Sequence, residues 1–291
     1  MDDHARRLVR QHAMTARLMG VDFVPAFRRN GTVDEPAAEH ETAPAAARPT
    51  IPPVMPSPPR AAMVHPATTP EAPAARPLAA PTTSSAGPKE RAASQAALDT
   101  LRARYESDAP HSTFVTNFQN IVFGEGDPCA RLCFVGEAPG EDEDLSGRPF
   151  VGRAGQLLDK MIVAMGLRRE DVYICNVLKT RPPGNRTPTQ DEVASCKPYL
   201  LEQLAIVRPD AVVTLGLSAT HALLDSGETM ARLRSRWWTM QDSRGRSVPV
   251  MPTYHPSFIL RSYTPENRAK VWEDLKLALE FLGLPVPARG G

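Results

Sequence analysis

The chain has 291 residues, a formal net charge of +1 and four cysteines. Bulk charge therefore gives no sign of a polyanionic partner. Four thiols are too few for a disulfide framework, so a reducing cytoplasm is the expected compartment. No apolar run is long enough to span a bilayer and no charged start precedes an apolar signal core, so no membrane partner is expected.

In chain order, residues 1–27 place Leu8, Met14, Leu18 and Met19 near one face of a short helix closed by Gly20. The segment reads as an N-terminal tail whose partner the sequence does not identify. Residues 28–93 are rich in Pro and Ala, and nearly half of the chain's 30 prolines fall between Pro36 and Pro88. Such a stretch buries too little apolar area to offset its ordering entropy, and a disordered linker is expected. Residues 94–291 are then the folded domain, expected as a monomer. Its predicted elements begin with a helix over 96–105 and a strand over 132–135. No helix is expected between Gly136 and Gly155. A helix over 155–165 and a strand over 172–178 follow. Thr189 and Glu192 form a capping box that opens the next helix, which stops before Pro209. A strand over 211–215, a helix over 218–224, a strand over 248–253 and a final helix from Pro265 to about Gly283 complete the series. Alternating apolar strands and helices give an α/β fold around a mostly parallel four-stranded sheet.

In such sheets ligands gather beyond the carboxyl ends of the strands. Three segments lie there: the long loop 136–155, Asn176 to Arg186, and His255 to Arg261. The loop combines a Gly-Pro-Gly turn, four consecutive acids (Glu141, Asp142, Glu143, Asp144) and one aromatic, Phe150. The acids argue against a phosphate cradle and read most simply as a solvated face. Each remaining candidate carries two readings. Phe150 is either core or a stacking surface. Asn176 is either bonded to neighbouring backbone or reads a planar edge with its paired donor and acceptor. His255 is either structural or a neutral donor to a developing oxyanion. Residues 231–270 carry eight Lys/Arg against two Asp/Glu, interleaved with Trp237, Trp238, Tyr254 and Phe258. Lys179, Arg181 and Arg186 cluster after the second strand. This is either a basic, aromatic rim for nucleic acid or a solvated hairpin.

The motifs G-E-A-P-G-E-D-E-D with G-R-P-F-V-G-R-A-G-Q-L-L, then N-V-L-K-T-R-P-P-G-N-R, then Y-H-P-S-F-I-L-R, resemble those of the family 4 uracil-DNA glycosylases. The resemblance spans about residues 96–284. It implies a three-layer α/β/α domain that flips deoxyuridine from single- or double-stranded DNA and hydrolyses its N-glycosidic bond. By position, Phe150 resembles the residue stacked on uracil, Asn176 the amide pairing with its edge, and His255 the donor to its O2. Glu137 and Ala138 fall in the motif that places the attacking water, and Glu143 at a position against the uracil C5 side. With Ala138 in place of a carboxylate, either Glu137 or the leaving group and fixed dipoles carry the chemistry. Phe258, Ile259 and Leu260 are wedge candidates. Ser257 and Arg261 join Lys179, Arg181 and Arg186 as expected DNA contacts. Family 4 members hold a [4Fe-4S] cluster on four cysteines, of which only Cys196 is retained, Thr180 standing at the third position. No metal or cofactor is therefore expected, and Asp108 and His111 are the available substitutes. A module that binds uracil-containing DNA without turnover is the alternative function.

Overall fold

A computed structural model of the protein describes residues 86–287, which lie within one compact unit, Pro70–Gly291. The N-terminal tail 1–27 and residues 28–85 of the expected linker lie outside the described residues. The first helix, α1 (Pro88–Asp108), begins eight residues before the expected start and takes in the end of the expected linker. Pro88 occupies its first turn, where a missing N–H costs nothing, and Leu98, Leu101 and Tyr105 are buried along one face.

A six-stranded sheet has the order β1-β3-β2-β4-β6-β5. Its centre consists of the four expected strands, β2 (Leu132–Gly136), β3 (Tyr173–Asn176), β4 (Ala211–Leu215) and β6 (Ser247–Thr253). All are parallel, with Val135 opposite both Cys175 and Thr214, and Leu215 opposite Thr253. Every residue of β2, β3 and β4 is buried, as in a parallel sheet covered on both faces. Two antiparallel edge strands that the sequence reading did not expect complete it. The strand β1 (Glu125–Gly126) pairs with β3, and β5 (Trp238–Gln241) forms a hairpin with β6. The basic segment thus contains a hairpin.

Side chains alternate across the sheet. Cys133 and Val135 face a core with α1, α4 (Gln190–Val207) and α5 (Leu217–Leu224). Leu132 and Phe134 face the opposite core with α3 (Arg153–Ala164) and α8 (Pro265–Phe281). Three shorter helices lie between them, α2 (Glu141–Ser146), α6 (Met230–Leu233) and α7 (Pro256–Arg261). The result is a three-layer α/β/α sandwich. Among the described residues no helix is long and apolar enough to cross a membrane.

One buried carboxylate fixes the end of β6. Asp274, on α8, accepts from the Thr253 hydroxyl at 2.8 Å and from the Arg234 guanidinium and the Ser235 N–H and hydroxyl. Thr253 is the last residue of β6 and stands two positions before His255. A core ion pair therefore anchors the strand end from which the site is built.

Candidate active site

The carboxyl ends of β2, β3, β4 and β6 open into a groove of about 1830 Å³. Glu137, Ala138, Phe150, Asn176 and His255 all line it, four separate stretches of chain brought together by strand topology.

Asn176 closes β3 and is buried, with its Oδ1 lacking any hydrogen-bond partner. Buried amide carbonyls are rarely left unpaired, and this one, on the groove wall, is free to accept a donor that enters the groove. The Phe150 ring and Asn176 Oδ1 both crowd the Cα of Gly136. A Cβ there would lie 2.4 Å from each, which is why β2 must end in glycine. The Phe150 ring centroid is 5.7 Å from that of His255. The reading of Asn176 as bonded to neighbouring backbone is not what its Oδ1 does.

His255 caps α7. Its Nδ1 accepts the Ser257 backbone N–H at 3.1 Å, with the Ser257 hydroxyl 2.7 Å from the same nitrogen. An accepting Nδ1 leaves the proton of the neutral ring on Nε2. Burial, and secondarily the Arg261 charge, lower its pKa to about 4, so the imidazole is neutral near pH 7. Burial also raises the Glu137 carboxyl above its ordinary range, opposed by the Ser218 hydroxyl. Ser218 was not among the sequence candidates. The available signal was its place just beyond β4, in the same row of strand ends.

The acids of the loop are a solvated face only in part, Glu141 and Asp142 being exposed. They form α2, where no helix was expected, and two of them turn inward. Asp144 is buried and accepts the Gln119 and Asn120 N–H groups. Glu143 accepts the Gly140, Val151 and Gly152 N–H groups at 3.1, 2.8 and 2.9 Å. Its carboxylate therefore holds the Phe150 loop, and the residue also lines the groove, where the resemblance placed it against the edge of a base.

Two expected DNA contacts are corrected. Lys179 is fully buried, donating to the Asn176 carbonyl at 2.7 Å and to Gln203, and burial lowers its pKa. It supports the backbone beneath Asn176 and cannot reach a phosphate. Ile259 is core, buried on α7 together with Pro256. Phe258 is half-buried in the groove, stacked on Tyr254 at 4.8 Å, and Leu260 is half-buried. Arg186 and Arg261 are exposed and line the groove, although Arg186 also pairs with the buried Glu192. Arg181 bonds Asn185 at 2.8 Å and faces Glu141. The two tryptophans of the basic segment are structural: Trp237 packs on Phe281, and the Trp238 N–H donates to the Leu233 carbonyl.

The surroundings of Cys196 do not fit an iron-sulfur cluster, which calls for about four thiolates. The Cys196 thiol is buried 3.8 Å from the Tyr105 hydroxyl, and Thr180 is buried nearby in the same core. Tyr105 stacks on His111 and meets Tyr199 edge-on at 5.0 Å, and Phe118 lies against His111. Asp108 is spent on the Tyr199 hydroxyl. Cys133 and Cys175 lie on β2 and β3. Among the described residues no three His, Cys, Asp or Glu side chains are grouped to hold a metal. Purified protein is accordingly expected to contain less than about one iron per chain and to lack the visible absorbance of a thiolate-bound cluster. Iron analysis giving about four per chain would contradict this.

An unpaired amide and a neutral imidazole thus share one strand-end groove of a three-layer α/β/α sandwich. The description "Uracil DNA glycosylase superfamily" matches residues 123–276. A "Type-4 uracil-DNA glycosylase" of Thermotoga maritima is 48% identical over 166 residues, 57% of this chain and 85% of the relative. That of Archaeoglobus fulgidus is 44% identical over 172 residues, 58% and 85% of the two chains. That of Saccharolobus solfataricus is 43% identical over 169 residues, 56% and 77%. The chain belongs to the uracil-DNA glycosylase superfamily, in its type-4 branch.

Proposed function

We propose that the protein is a uracil-DNA glycosylase that hydrolyses the N-glycosidic bond of deoxyuridine and so starts base excision repair. The observation that carries this reading is the unpaired, buried Oδ1 of Asn176 beside the Phe150 ring and the neutral His255 imidazole. A uracil ring turned out of the stack presents an N3–H donor and an O4 acceptor, the complement of a primary amide. Stacked on Phe150 and paired with Asn176, its O2 is offered to the Nε2–H of His255. As the C1′–N1 bond breaks, its electron pair passes into the ring, and His255 donates to the charge that collects on O2. Water adds to C1′ and gives its proton to Glu137, a groove-lining carboxylate whose affinity for a proton is raised by burial.

Arg186, Ser257, Phe258, Leu260 and Arg261, at or near the groove, are the DNA contacts in this reading, with Arg181 on its flank. The protein acts as a monomer in the cytoplasm on single- or double-stranded DNA. Incubation with a uracil-containing oligonucleotide followed by alkali is expected to break the strand at the uracil. Retarded mobility without breakage would replace the enzyme by a non-catalytic binder of uracil-containing DNA.

A further inference from the structure

Phe150 is buried, yet its φ is +51°, a conformation uncommon for a bulky side chain. Something must hold it there. The peptide planes on either side of a residue fix its φ and ψ, and both planes flanking Phe150 end on one guanidinium. Arg169, from the single helical turn Arg169–Asp171 before β3, donates Nη2 to the Pro149 carbonyl and Nη1 to the Phe150 carbonyl at 3.2 Å. The guanidinium is itself oriented by Glu125 and Asp159, each at 2.6 Å. On the other side, the Phe150 carbonyl presses against Gly155, where a Cβ would lie 1.9 Å from its oxygen. The Arg169 side chain is 19% exposed and is not part of the groove wall, so it meets no base.

We propose that Arg169 is a positioning residue for base excision, setting the stacking face of Phe150 by pinning both of its peptide planes. The proposal rests on the reading of Phe150 as the surface on which uracil stacks. A planar fork of donors can grip two successive carbonyls while bonded to two carboxylates, and a single ammonium cannot.

Single-turnover cleavage of a uracil oligonucleotide, measured for Arg169→Met, Phe150→Ala and the double variant, tests it. Arg169→Met is expected to slow cleavage about 10- to 100-fold, as a small misplacement of a bound group does. Affinity for uracil-free DNA should stay unchanged. In the Phe150→Ala background the same substitution should cost nothing further, because the ring it positions is gone. Arg169→Lys should recover little of the rate, and it carries the same comparison should Arg169→Met fail to fold. An equal fold-loss in both backgrounds would show a general structural role and overturn the proposal while leaving Phe150 its role. A wild-type rate for Arg169→Met would also overturn it. If Phe150→Ala alone keeps the wild-type rate, the stacking reading falls, and the proposal with it.

Discussion

Replacement of His255 by alanine is expected to slow the cleavage step about 10²- to 10³-fold while leaving DNA affinity close to that of the wild type. The donor is aimed at charge that exists only as the glycosidic bond breaks, so its removal costs little in the bound ground state. Single-turnover kinetics with separately measured binding distinguishes the two. If affinity falls while the cleavage rate holds, His255 is a DNA contact and the leaving-group role fails. The acid side offers a second check. An ordinary histidine gains its proton near pH 6.5, but His255 does so only near pH 4. The cleavage rate should therefore show no loss attributable to this imidazole near pH 6.5. Between those two values the unfolded chain binds a proton that the folded one refuses. The stability contributed by the neutral ring is thus present above pH 6.5 and is lost as pH falls toward 4. Wild-type protein should lose melting temperature across that window faster than His255→Ala.

Asn176→Ala should weaken uracil recognition by about 1–3 kcal/mol, because the base edge would enter a desolvated pocket and find no partner. The same change removes a carbonyl that is buried and unpaired before any base arrives. That relief offsets the small cavity left behind, so the melting temperature should stay near the wild-type value while discrimination collapses. Lys179 remains satisfied in the variant, since it bonds the backbone carbonyl of residue 176. Inhibition by free uracil, compared between variant and wild type, reports the pocket without the DNA. An unchanged inhibition constant would remove Asn176 from base recognition.

The parallel centre of the sheet was legible because each of its strands is an apolar run closed by glycine, proline or a polar residue. The location of the groove followed from the strand ends. The edge strands were not legible: β1 is two residues long, and β5 lies in a basic segment whose pattern also suits solvent. The start of α1 was masked because Gly87-Pro88, a sound opening signal, stands among many prolines. Lys179 shows a different limit. Three residues past Asn176 the backbone leaves the strand, its alternation no longer predicts direction, and a lysine near two arginines looked like surface. Phe258, Ile259 and Leu260 are consecutive on a helix of barely two turns. One of them had to point inward, and nothing in the sequence alone set the phase. Glu143 and Asp144 were misread because their partners are backbone N–H groups, which no sequence pattern displays.

The sulfur chemistry of the domain bears on how it endures oxidising conditions. Cys133, Cys175 and Cys196 are buried, and burial raises each thiol above its ordinary pKa. Peroxides attack the thiolate and need access to it. These three sulfurs supply neither, and Cys129 is only half-buried beside Ser94. Every group assigned to the reaction is an oxygen or nitrogen function or a phenyl ring. A burst of peroxide that silences thiol-dependent enzymes would find no thiol in the wall of this groove.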